Sequence, residues 1–369
     1  MIAWRAGTVV SLGRRWTGAH EVLVQVGDEQ LQALAYDDVV GPVEVGARVL
    51  LNVTALERGL GTGGYALVVA RTDALPADPP PAPGHLVKAR YTPQQVMVLG
   101  VDDQESVHHD LLQDADDLLG MPVVTADLHS ALPAVVAGAR HAAAAAGRPA
   151  PRIAYVMTDG GALPVAFSRT VAALREAGWL DTCITAGQAY GGDLEAVSVH
   201  SALLAARLVA GADLAVVSQG PGNLGTDTRW GFSGVLAGDA VNAAAALRGR
   251  PVASLRVSGS DPRPRHRGVS HHSLTAYGRV ALAAADVPVP VFTGLGGSLD
   301  ELGSQVRAQT TTLSGRHRLV DVPAGAELLA ALRRCPVRLS TMGRDLDDDP
   351  GSFLAAAVAG VHAAALAAG

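Results

Sequence analysis

The chain has 369 residues, of which 49% are hydrophobic and 17% charged, with a formal net charge of −6. It is longer than one usual domain, too apolar for disorder, and has no basic excess for nucleic acid. Aromatic residues make up only 4%, so Ala, Val and Leu must fill the core and few rings remain to stack on bases.

Residues Ala6–Ala70 read as five short strands: Gly7–Leu12, Glu21–Val26, Glu29–Ala35, Arg48–Val53 and Tyr65–Val69. The run Glu21-Val22-Leu23-Val24-Gln25-Val26 alternates with the period of a half-buried strand, and Gly27-Asp28 reads as a hairpin turn. Five strands without a convincing helix predict a small barrel of the SH3-like or oligonucleotide-fold kind over residues 1–73. A structural appendage or dimer contact is the plainer use of it, and a partner module the alternative. The proline-rich Leu75–His85 (LPADPPPAPGH) predicts a semi-rigid linker, residues 74–87.

Residues 88–369 are expected to form a Rossmann-like α/β domain. Strands at Val96–Leu99, Val123–Thr125, Ile153–Met157, Asp181–Thr185, Leu214–Ser218, Val252–Val257, Val287–Phe292 and Arg318–Val322 alternate with helical patterns. Those helices are expected at Ser130–Ala146, Ala166–Ala177, Leu194–Ala210, Phe232–Leu247 and Leu274–Ala284, with a last one from Pro350. Glu327–Arg334 and Val337–Ser340 are read as closing segments before that last helix. Continuous apolar strands with crossover helices predict a mostly parallel, doubly wound sheet covered on both faces.

Single residue types close further doors. Lys88 is the only lysine and no G-K-[ST] occurs, which rules out a Walker-type nucleotide loop. A lysine Schiff base would have to use Lys88 beside the linker, so PLP is not expected. Cys183 and Cys335 are far apart in apolar settings, which excludes a disulfide framework and fits a cytoplasmic location. The start MIAWRAGTVV lacks the apolar core of a signal peptide, and Phe353–Ala368 is too short for a membrane span.

In open parallel sheets ligands bind beyond the carboxyl ends of the strands, and polar residues gather there in this chain. Asp127 and His129 follow one strand, Asp159 another, and Gln188, Asp193 and Glu195 a third. Gln219, Gly220, Gly222, Asn223, Gly225 and Thr226 follow a fourth, and Ser258–Ser273 (SGSDPRPRHRGVSHHS) the next. Gly220–Gly225 spells G-x-G-x-x-G, but no helix opens at the loop and no acid ends the next strand at the right distance, so NAD is not expected. Asp193 is also placed to cap the helix expected after it. Asp345–Asp349 before Pro350 reads as a helix start.

The Arg/His segment admits two chemistries. In one, His266, His271 and His272 with Asp159 or Asp193 bind a divalent metal; His271 and His272 are adjacent, so in a helix or strand they would point apart. In the other, arginines clamp a phosphate or carboxylate while a histidine moves a proton. A loop tied by salt bridges to Asp159 and Asp261 is the plain alternative.

Four segments taken together, Thr158-Asp159-Gly160-Gly161, Gly187–Ser198 (GQAYGGDLEAVS), Ser218–Thr226 (SQGPGNLGT) and Arg265–Ser273 (RHRGVSHHS), resemble an uncharacterised bacterial family known only as a domain of unknown function. The likeness covers nearly the whole chain and implies no activity or cofactor. This chain carries Asp227 where the family has a small residue, which implies that the loop needs no glycine-like freedom there.

The expected function is a hydrolase or transferase acting on a small anionic metabolite. Asp159, Asp193, Glu195, His266 and His271 are the expected catalytic groups. Gln188, Gln219, Gly220, Gly222, Asn223, Gly225, Thr226, Arg263 and Arg265 are the expected ligand contacts, and His271, His272 and Asp193 the metal set. A non-catalytic anion sensor and an assembly protein working through the barrel are the alternatives. No nucleic-acid or membrane partner is expected, and a homo-oligomer is left open.

Overall fold

The computed structural model describes residues 1–368. Strands β1 (Trp4–Trp16), β2 (Ala19–Val26), β3 (Glu29–Tyr36), β4 (Arg48–Asn52) and β5 (Ala66–Arg71) close into a barrel in the order β1-β2-β3-β5-β4. Its interior is filled by Val9, Val22, Val24, Ala33, Val49, Leu51 and Val68, contributed by all five strands. Closure leaves no unpaired strand edge.

Beyond the linker, β6 (Leu86–Lys88) and β7 (Val96–Val98) pair antiparallel as a separate ribbon, so the strand expected at Val96–Leu99 does not join the main sheet. Lys88 anchors the ribbon. Its buried ammonium donates to the carbonyls of Thr185, Ala189 and Ala196 and lies 2.8 Å from Glu195 Oε2. That clamp fastens the ribbon over one edge of the sheet domain.

The main sheet is built from β8 (Pro122–Thr125), β9 (Ile153–Thr158), β10 (Thr182–Ala186), β11 (Leu194–Ala196), β12 (Leu214–Gln219) and β13 (Arg250–Ala253). A two-residue hairpin follows, β14 (Val257–Ser258) with β15 (Gly268–Val269), before β16 (Asp286–Thr293) and β17 (Arg318–Gly325) complete the sheet. The order is β11-β10-β9-β12-β8-β13-β16-β17, and every pairing is parallel. On β9, Ile153, Tyr155 and Met157 enter the core on one face while Ala154 and Val156 enter that on the other. A strand apolar on both faces reads as an unbroken apolar run.

Two differences from the sequence reading matter for the site. Leu194–Ala196 is an edge strand rather than the start of a helix, because Leu194 pairs with Ile184; the helix begins at Val199 behind a Ser198 cap. The run Val252–Val257 is broken after Ala253, and Val257 belongs to the hairpin. In the closing segment, Ser340–Thr341 pairs with Arg344–Asp345 as a two-residue ribbon.

Chain order explains where a ligand can go. From β8 the chain runs outward through β9, β10 and β11, returns to place β12 between β9 and β8, then crosses to β13. This reversal opens a crevice beyond the carboxyl ends of β8, β12 and β13. Among the described residues no helix is long and apolar enough to cross a membrane.

Candidate functional site

A cavity of 610 Å³ occupies that crevice. Leu128 and His129 line it from the end of β8, Gln219–Asn223 from the end of β12, and Arg256, Arg263, Arg265, His266, His271 and His272 from the chain after β13. Two buried tyrosines tie together the strand ends around it. The Tyr277 hydroxyl donates to Thr125 O (2.7 Å) and Ser254 O (3.1 Å), holding β8 beside β13. The Tyr155 hydroxyl donates to Gln219 O (3.1 Å), holding β9 beside β12.

The three histidines converge because the chain turns back through the hairpin and starts a helix at once. Ser270 is its cap, with Oγ accepting the amide of His272, so His271 and His272 stand in the first turn. Their rings are 4.4 Å apart and each lies 5.0 Å from that of His266. Phe232 stacks on His272 at 3.8 Å. One ligating atom from each of the three lies within 4.8 Å of the others, although the sequence argued that adjacent histidines would diverge. The tilt between neighbouring rings, 62°, lets adjacent side chains meet over one point.

All three imidazoles are held neutral. Burial, then Arg256, lowers His266 to about 3 and His272 to about 2; burial, then Arg265, lowers His271. His271 Nε2 is buried without a hydrogen-bond partner among the described residues, and so is Asp127 Oδ2. That oxygen lies 3.7 Å from His272 Nδ1 and 4.0 Å from an Arg256 guanidinium nitrogen, and burial raises Asp127 to about 6 against the pull of Arg256. Arg256 donates to His272 Nδ1 (3.1 Å), so the neutral His272 carries its proton on Nε2. A metal bound there would displace that proton or that arginine.

A family model described as "Protein of unknown function (DUF3866)" matches residues 32–360. The chain belongs to this family. The match takes in the end of the barrel, the whole parallel sheet and every residue lining the 610 Å³ cavity. A comparison with curated proteins finds no match.

The other residues singled out in the sequence divide between two places. Gln219, Gly220, Gly222, Asn223, Gly225, Thr226, Arg263 and Arg265 line the same cavity as the histidines. Asn223 Oδ1 receives Gln219 Nε2 (2.9 Å), Ser233 Oγ and the amide of Gly234, which shapes the loop. Arg263 is forked onto Asp261 at 2.9 and 3.0 Å, and Arg265 pairs with Asp227. Asp227 has φ +66°, so the loop does require left-handed backbone there, a conformation that Asp tolerates better than most residues.

Asp159, Gln188, Asp193 and Glu195 lie elsewhere. Asp159 accepts the amide of Gln188, and Gln188 Oε1 that of Arg90. Asp193 accepts the amide of Cys183 (2.8 Å), pairs with Arg175 and lines a different cavity, so the set His271, His272, Asp193 does not assemble. It caps no helix, since Leu194 is already strand. Glu195 is spent on Lys88, Thr185 and Gly191. Asp349 accepts from Ser258 Oγ and Gly259 N, tying the last helix to the hairpin rather than capping its own first turn. Arg256 and Phe232 escaped the sequence reading. The one signal for Arg256 was a lone arginine within an apolar run.

Proposed function

We propose that the chain is a hydrolase or transferase acting on a small anionic metabolite in the 610 Å³ cavity, assisted by a divalent metal on His266, His271 and His272. The observation that carries this reading is the meeting of three neutral imidazoles beside three guanidiniums. Neutral imidazole is the ligating form, and three such ligands leave a position for water or substrate. A bound ion supplies Lewis acidity and an acidified water. Arg256, Arg263 and Arg265 disfavour a bare dication and favour one that arrives with, or receives, an anionic group. Gln219 and the glycine loop shape the opposite wall. Asp127 completes the electrostatics: its carboxylate neutralises Arg256 at the edge of the triad.

Two free thiols, Cys183 and Cys335, support a cytoplasmic, reducing location. The exposed Trp4, Val10 and Leu12 on β1 support self-association through the barrel.

The test is metal analysis of the protein as isolated, joined to a hydrolysis panel of phosphate monoesters and carboxylic esters of anionic metabolites. The proposal expects near-stoichiometric divalent metal and a turnover that chelation removes. Saturable anion binding without turnover would favour a sensor, and absence of both metal and anion binding would overturn the assignment.

A further inference from the structure

A second cavity, of 230 Å³, lies between the barrel and the sheet domain, with Thr17, Tyr36, Ser168, Arg175 and Tyr190 among its walls. Ser168 caps the helix Arg169–Glu176, its Oγ accepting the amide of Val171 at 3.1 Å. The same oxygen is 2.7 Å from His129 Nε2, and His129 Nδ1 is 2.9 Å from the Tyr155 hydroxyl.

In the tautomer in which Tyr155 donates to Gln219 O, the Tyr155 oxygen accepts from His129 Nδ1–H. Nε2 is then a bare lone pair, and the Ser168 hydroxyl donates to it. A hydroxyl bonded to an imidazole whose other nitrogen is fixed by a third group is the arrangement of an activated nucleophile. Tyr190, which burial raises to about 12, lines the same cavity and keeps its proton there.

We propose that Ser168 is a nucleophile that takes a short acyl group from an ester in this second cavity, with His129 as general base and Tyr155 positioning the imidazole. The volume falls below that of ordinary drug-sized sites, which limits the acyl group to a few carbons. Ser168 Oγ bonds to the carbonyl carbon and its proton passes to Nε2 of His129. The ester C–O bond then breaks, and the leaving alkoxide takes that proton. Water adds to the acyl carbon, giving a proton to His129, and the serine leaves with it as the carboxylic acid is released. His129 lines the first cavity and not the second, so it acts on Ser168 only through the hydrogen bond between them, with both its ring nitrogens engaged.

The experiment treats the full chain with a fluorophosphonate probe, maps the adduct by peptide mass spectrometry, and follows p-nitrophenyl acetate hydrolysis with and without chelator. A single adduct on Ser168 and chelator-insensitive hydrolysis are expected. His129→Gln should slow both by at least about 100-fold while melting as wild type. A folded wild-type protein with no adduct on Ser168 overturns the proposal, as does labelling unchanged in His129→Gln. Mapping the wild-type chain decides the matter even where Ser168→Ala fails to fold.

Discussion

Tyr277 shows how much one side chain can fix. Its hydroxyl donates to two strand-end carbonyls in a fully buried setting, so Tyr277→Phe leaves Thr125 O and Ser254 O without that donor. A loss of about 1–3 kcal/mol is expected, read from urea denaturation. An unchanged midpoint would show that the strand ends around the crevice do not depend on this bond. Residue by residue, legibility followed chemistry. His266, His271 and His272 stood out because imidazoles are rare in cores. Ser168 did not, because a helix-capping serine looks the same in sequence whether or not a histidine lies behind it. Asp193 and Glu195 misled for a related reason: an acid after a strand reads alike whether it faces a ligand or, as Glu195 does, a buried lysine.

Among the elements, the helices Leu132–Ala145 and Pro350–Leu366 carry the closest packing. A Cβ on Gly138 would lie 2.0 Å from Ala357 O, and one on Gly360 1.9 Å from Val135 O, so glycine at both positions lets the two backbones touch. Gly360→Ala is expected to cost about 1–3 kcal/mol by overpacking, and a variant as stable as wild type in a urea melt would refute that packing. The edge clamp makes a second prediction. Lys88→Met strands the Glu195 carboxylate in a buried site, with an expected loss of about 3–5 kcal/mol. The long apolar strands and Ala-rich helices were legible because their hydrophobic runs exceed what turns allow. The three-residue strand β11 and the ribbon β6–β7 were not, since at that length pairing partners rather than periodicity decide.

For the whole molecule, topology does what no single motif could: reversal of strand order brings residues 129, 219 and 256–272 to one crevice. The same burial gives stability a pH dependence. His129, lowered to about 4, and His317, lowered by burial, stay neutral when folded. The unfolded chain takes up their protons first, so their contribution is complete above about pH 6.5 and is lost as pH falls toward 4. Asp261 and Asp286, held below the usual carboxylate range by Arg263, Arg344, Arg318 and His362, withdraw theirs only below about pH 4. Asp127 works in the opposite sense between about 4 and 6. The melting temperature should fall on acidification from pH 7 to 4, and a flat profile would mean that these histidines titrate normally.

The claim on which the functional account turns is that His266, His271 and His272 hold one divalent cation. A cobalt(II) titration followed by visible absorption tests it directly. One equivalent giving the intense d–d bands of low-coordinate cobalt, absent in a His271→Ala protein that melts as wild type, is the predicted result. No saturable band at millimolar cobalt, or the same band in that variant, would contradict it.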